Sequence, residues 1–228
     1  MSKNLSIFDV LGPVMIGPSS SHTAGAARLG KMARYICEED ISSVEIQLHG
    51  SFKETGKGHG TEMALVAGLM GFEPDDERLR KAMDLAQGTL AVSFKKVDLG
   101  YAHPNTARFI IEKSDGVIMD ITGSSLGGGE VIITNINGFE VALKGNYFTI
   151  ITKHFDKRGI ISQVTTLLSK GSVNIGNMKV SRNIHTQEAI MVIETDEGVP
   201  TEIIKQIKGL NEMIGVMIVN PVRGEIHV

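Results

Sequence analysis

Small and apolar residues recur at three- and four-residue spacing from about Ala24 to Glu39, with Leu29, Met32 and Ile36 on one stripe, which predicts a helix. Ser19, Ser20 and Ser21 precede it, and a serine hydroxyl is well suited to accept an unpaired N–H at a helix start. Val44 to His49 alternates apolar and polar, as a half-buried strand does. A glycine-spaced loop, Gly56 to Thr61, then opens a helix through Met63 to Met70, and Asp75 to Gln87 reads as a solvated helix stopped by Gly88. From residue 90 onward the period changes to strands, at Val92–Asp98 and Arg108–Glu112. Asp115-Gly116 and Asn137-Gly138 supply hairpin signals, and Gly123 to Gly129 forms a glycine-rich loop between them.

The pattern restarts near residue 147. Strands at Tyr147–Lys153, Val173–Ser181, Ala189–Glu194 and Met213–Val219 alternate with helices at Gly159–Lys170 and Thr201–Lys208. Pro200 ahead of the second helix and Gly171 behind the first follow the usual asymmetry of helix ends. The order βαββαβ predicts a ferredoxin-like module. The fold class is therefore α+β in two domains, 1–145 and 146–228, with the first of mixed α/β architecture.

Composition narrows the function. The 228 residues carry 23 Lys plus Arg against 26 Asp plus Glu, a net charge of −3, without the cationic excess that nucleic-acid binding needs. No apolar run approaches the ~18 residues of a membrane span. The polar N-terminus does not read as a signal peptide, so a cytoplasmic location is expected. The single cysteine, Cys37, forms no internal disulfide, and alone it cannot hold an iron–sulfur cluster, which takes about four thiolates.

Three segments carry candidate chemistry. Ser19, Ser20, Ser21, His22 and Thr23 place four hydroxyls and an imidazole at a helix start, where unpaired N–H groups favour an anion such as a carboxylate. The same run also reads as a plain serine cap beside a surface histidine. His59 stands between Gly58 and Gly60 on a loop that fits either a proton-transfer group near neutral pH or a mobile surface loop. Lys57 is followed by Gly58 rather than Ser or Thr, so this is no phosphate-binding P-loop. His103 and Asn105 flank Pro104, which favours an extended backbone, so the segment fits either a fixed imidazole at a strand edge or a turn with a structural histidine. The histidines show no paired helical spacing for zinc. In the second domain, loops bearing His154, Asp156 and Asn174 are expected at one end of the sheet, where they suit either a small amino acid or no ligand at all.

Taken together, these segments resemble the β chains of bacterial iron–sulfur-dependent L-serine dehydratases. The resemblance runs from Ser6-Ile7-Phe8-Asp9 and Ile16 to Gly25 through Gly50-Ser51-Phe52, Lys57 to Thr61, His103 to Thr106, Gly127-Gly128-Gly129 and Asn137 to Glu140. It implies dehydration of L-serine to pyruvate and ammonia, with His59 as the base and Ser19 to Thr23 holding substrate. His103 and Asn105 would stand behind them. It implies further that a separate α chain ligates a [4Fe–4S] cluster. The first domain would resemble the allosteric substrate-binding domain of some phosphoglycerate dehydrogenases. The second is similar to ACT amino-acid-sensing modules through Asp156-x-x-Gly159-Ile160 and Val173-Asn174-Ile175, which implies an effector site at His154, Asp156 and Asn174 and self-association. The contrasting function is a regulatory protein that binds an amino acid without catalysis.

Overall fold

The computed structural model describes residues 14–38, 40–55, 58 and 60–222. Gly12-Pro13, Gly56, Lys57 and the candidate base His59 lie outside them. The chain forms two units, Met1–Asn137 and Gly138–Val228. The strand Phe139–Leu143 goes with the second unit, where the Ser181 hydroxyl donates to the Glu140 carbonyl at 2.6 Å.

In the first unit the predicted helix begins as a π-helical turn, Ser20–Gly25, and continues as α1, Ala26–Ile36. Next come β1 (Ser43–Leu48), α2 (Gly50–Thr55) and α3 (Thr61–Leu69). The segment read as one helix over 75–87 is instead a 3-10 turn, Glu77–Lys81, followed by α4, Ala82–Ala86. Asp76 caps the 3-10 turn by accepting from the Arg78 N–H at 2.9 Å, and the backbone changes register at Lys81. The strands are β2 (Ala91–Lys96), β3 (Thr106–Glu112), β4 (Ile118–Gly127) and β5 (Glu130–Ile136), in spatial order β2-β1-β3-β4-β5. β1 and β2 run parallel and the other neighbours antiparallel.

Alternation sends one set of side chains to a single face. Ile46 pairs with Phe109, and Phe109 with Ile121, all three fully buried. Removing an apolar side chain of this size from water contributes about 1.5–3 kcal/mol. Helix α1 packs on this face at Gly123, where a Cβ would lie 2.9 Å from Leu29 Cδ2. Helices α1 and α3 cross backbone to backbone. A Cβ on Gly68 would lie 1.9 Å from the Ala27 carbonyl oxygen, and one on Gly30 2.2 Å from that of Leu65.

The glycine-rich stretch 123–129 is not an open loop. Residues 123–127 complete β4, and Gly128 and Gly129, with φ of 60° and 78°, turn the chain tightly into β5. The backbone of 123–125 is committed to the ladder with β5.

The second unit contains β6 (Phe139–Leu143), β7 (Phe148–Phe155), α5 (Ile160–Lys170), β8 (Ile175–Asn183), β9 (Glu188–Thr195), α6 (Thr201–Lys208) and β10 (Met213–Val219). The sheet order β10-β7-β9-β8 gives the module from β7 to β10 the ferredoxin-like arrangement that its βαββαβ order predicts. Ile150, Met191 and Val216 from the sheet meet Val164 and Leu168 of α5 and Ile207 of α6 in one apolar core. Among the described residues no helix is long and apolar enough to cross a membrane.

Cys37 closes α1, fully buried, and burial pushes its thiol up from 9.0 to about 12 against the pull of Lys113. In the unfolded chain the thiol ionises first, so between pH 9 and 12 the folded state binds more protons and stability falls as pH rises. Iodoacetamide at pH 8 is therefore expected to label the native protein only as fast as α1 opens, and the urea-unfolded chain at once. Equal rates in the two states would contradict this burial.

Candidate functional site

The π-helical turn organises the candidate site. Such turns are rare and concentrate at functional positions. Here the turn lies against β4 because Gly25 carries no side chain, and a Cβ there would lie 2.0 Å from Ser125 Oγ. Ser19 stands before the turn in extended backbone and its Oγ accepts from the His22 N–H at 3.2 Å. The same hydroxyl lies 3.4 Å from His22 Nδ1, and Ser21 Oγ lies 3.1 Å from it. The two hydroxyls are 3.3 Å apart.

The other ring nitrogen is also held. His22 Nε2 lies 3.0 Å from Ser51 Oγ, and the ring meets Phe52 edge-on at a centroid distance of 5.3 Å. Both partners come from α2, which turns sharply away from β1 at Gly50, φ 57°. No side chain fits there, since a Cβ would lie 2.5 Å from the Pro104 carbonyl oxygen. That contact brings the 103–106 segment beside α2, where the Phe52 N–H donates to the Pro104 carbonyl at 3.4 Å.

The structure thus brings Ser19, Ser21 and His22 together with Ser51, and sets the His103–Asn105 segment one backbone contact away. His103 is exposed, its Nδ1 accepting from the Asn105 N–H at 3.2 Å. Asn105 accepts the Ser125 N–H on its carbonyl at 2.9 Å, and its side-chain amide reaches the Ser125 carbonyl at 3.4 Å. Ser20 lies half-buried in the turn, and Thr23 is buried with its Oγ1 unpartnered. His49 stands outside this group, taking the Leu99 N–H on Nδ1 at 3.0 Å.

The second unit overturns one expectation. Asp156 follows β7, where Arg182 Nε donates to it at 2.6 Å. Asn174 precedes β8 and donates to Asp196 at 2.6 Å. Both β7 and β8 run antiparallel to β9, hence parallel to each other, and α5 carries the chain back between them. The two loops therefore lie at opposite ends of the sheet, about 25 Å apart for strands of this length. His154 is buried on β7, with Nδ1 2.9 Å from the Phe155 carbonyl oxygen. The three residues do not converge within one chain.

A family model described as serine dehydratase beta chain matches residues 6–135. The chain belongs to the serine dehydratase beta chain family. It is 43% identical over 215 residues to the probable L-serine dehydratase, beta chain, of Bacillus subtilis (strain 168), which covers 94% of this chain and 97% of that one. It is 41% identical over 207 residues to the L-serine dehydratase, beta chain, of Peptoniphilus asaccharolyticus, covering 90% and 93%. L-serine dehydratase 2 of Escherichia coli (strain K12) matches at 32% over 153 residues, 56% of this chain and 33% of that protein. The serine dehydratase beta chain match spans the π-helical turn, α2 and the 103–106 segment, and ends before β6.

Ser51 is the participant that pattern reading did not single out as a site residue. Its only sequence signal is the Gly50-Ser51 pair directly after a strand, where glycine permits the left-handed turn that aims the hydroxyl back at His22.

Proposed function

We propose that this chain is the β subunit of an L-serine dehydratase, eliminating water from L-serine at a site shared with a separate α chain. The observation that carries this reading is His22 of the π-helical turn, gripped on one ring nitrogen by Ser21 of the same turn and on the other by Ser51 of α2. Near-complete alignment with named beta chains supports it.

The residues divide the work as follows. His59 takes the Cα proton of serine, the hydroxyl departs, and the aminoacrylate formed tautomerises and hydrolyses to pyruvate and ammonia. His22, held by Ser19, Ser21 and Ser51, orients the substrate or its neighbours, and His103 and Asn105 support that wall from the adjacent segment. The [4Fe–4S] cluster implied by the family resemblance does not fit the side chains of this chain. Cys37 is the one cysteine and is buried as a neutral thiol, and among the described residues no three metal-ligating side chains come together. Its ligands are assigned to the α chain.

The ferredoxin-like unit is read as an ACT-type module that pairs with a second copy of itself, and a ligand touching both Asp156 and Asn174 would then bridge two copies. The assembled enzyme is placed in the cytoplasm by the same reading.

The test is anaerobic co-purification of this chain with a cysteine-bearing partner, followed by assay of pyruvate from L-serine. A coloured complex with serine-dependent pyruvate supports the proposal. A colourless chain that binds an amino acid without turnover replaces it with the regulatory function. In the active complex Ser51→Ala is expected to lower kcat about 10-fold, in line with loss of one hydrogen bond of about 1.4 kcal/mol, and to alter the pH profile. An unchanged profile would make Ser51 merely structural.

A further inference from the structure

A cavity of about 300 Å³ opens in the first unit between Gly17 and Pro18, Thr23 of the π-helical turn, Gly58 and Gly60 before α3, and Arg80. Three independent features give it one chemical character. Thr23 is among the residues lining the cavity, it is 2% exposed, and its Oγ1 has no hydrogen-bond partner. Helix α3 begins here with Gly60 at φ 70° and no side-chain cap, so the N–H groups of its first turn lack a side-chain acceptor. The helix is nine residues long, and the partial positive charge at its start attracts an anion.

Arg80 is the third feature. Its neighbour Arg78 is held by Asp76, whereas Arg80 enters none of the ion pairs of the described residues and lines the cavity. Among the described residues lining it there is no aspartate or glutamate, and Glu62, in the first turn of α3, is not one of them. Gly17 keeps the wall thin, since a Cβ there would lie 2.3 Å from Thr23 Oγ1. Within the Ser19–Thr23 run, Ser19 and Ser21 direct their hydroxyls to His22. Thr23 has no such engagement.

We infer that this cavity is a small-oxyanion site, in which Thr23 Oγ1 and the start of α3 hold the oxygens and Arg80 supplies the charge. The occupant is a carboxylate. Resting on the function proposed above, the site seats the carboxylate of L-serine and makes Arg80 a specificity-determining residue. A free anion from solution has the same chemistry and is separated from the substrate by the experiment.

Acetate and inorganic phosphate are titrated into the full-length chain and binding is followed by amide NMR shifts at Thr23, Thr61 and Glu62. Saturable acetate binding is expected, weakened about 10-fold in Arg80→Gln, as loss of one charge-assisted contact implies. Thr23→Val should weaken it as well, and because Thr23 is buried its melting curve is recorded alongside. Arg80 is exposed, so its variant tests the site without risk to folding. In the complex with the α chain, Arg80→Gln is expected to raise KM for L-serine about 10-fold with kcat held, which assigns the site to the substrate. Weaker acetate binding with unchanged KM assigns it to a free anion and overturns the substrate assignment. Absence of acetate binding, or binding indifferent to Arg80→Gln, overturns the site. If the complex turns over no serine, the proposed function fails while the acetate titration still decides the cavity.

Discussion

In the proposed complex with a separate α chain, His59→Ala is expected to lower serine turnover roughly 100- to 10,000-fold, the range in which a general acid or base contributes. The residue stands between Gly58 and Gly60, and the φ of 70° at Gly60 opens α3 immediately beyond it. In sequence, glycines flank this proton acceptor, and glycine is the residue that lets a backbone approach a ligand closely. Two readouts separate catalysis from assembly. Pyruvate formation should collapse, and the amount of α chain retained on a tagged β chain should not change. The acid limb of the pH–rate profile should disappear in the residual activity. Near-normal turnover removes His59 from the mechanism, and joint loss of turnover and α chain makes it an assembly residue.

The largest effect on stability is expected from Gly68→Ala. Alanine ordinarily gains about 1 kcal/mol over glycine inside a helix. Here the added Cβ would lie 1.9 Å from the Ala27 carbonyl oxygen and 2.7 Å from the Lys31 nitrogen, both backbone atoms of α1. Neither can rotate aside, so the two helices must separate, and overpacking of this kind costs about 3 kcal/mol or more. Hydrogen exchange of the α1 and α3 amides measures the change inside the first unit, without assuming that both units unfold together. Gly215→Ala is the control. A Cβ there meets nothing within 4 Å, and exchange in α1 and α3 should remain as in the parent. Unchanged protection in Gly68→Ala would mean that the crossing is looser than described.

Periodicity carried most of the fold. The strand over Met213–Val219 matches its predicted bounds, and the turn signals at Asp115-Gly116 and Asn137-Gly138 fall where φ is positive at Gly116, Asn137 and Gly138. Helix α2 escaped the same reasoning because six residues make under two turns, and Phe52 is its single buried residue, too little to form a stripe. Gly123 misled in the opposite direction. Glycine composition suggests a loop, whereas here the missing side chain admits Leu29 and Ile133 against a regular strand. The serines and His22 were legible as a cluster, but their division of labour was not. Which hydroxyl serves the imidazole and which remains unengaged depends on the π-helical geometry, and on Ser51, 29 residues along the chain. The second-unit loops were misplaced because residue types do not reveal which end of a sheet they occupy. The βαβ crossover does, by returning the chain to the start of a parallel strand.

The meeting of Gly30 and Gly68 also limits how this molecule can move. Helices that touch through long side chains slide past one another in small steps as rotamers readjust. Helices α1 and α3 touch through their backbones, each glycine set against the peptide groups of the other helix, so axial sliding has no soft coordinate to follow. The turn bearing His22 and Thr23 leads into α1, and the loop bearing His59 leads into α3. Those two segments therefore share a rigid chassis, their helices holding a constant gauge beneath them.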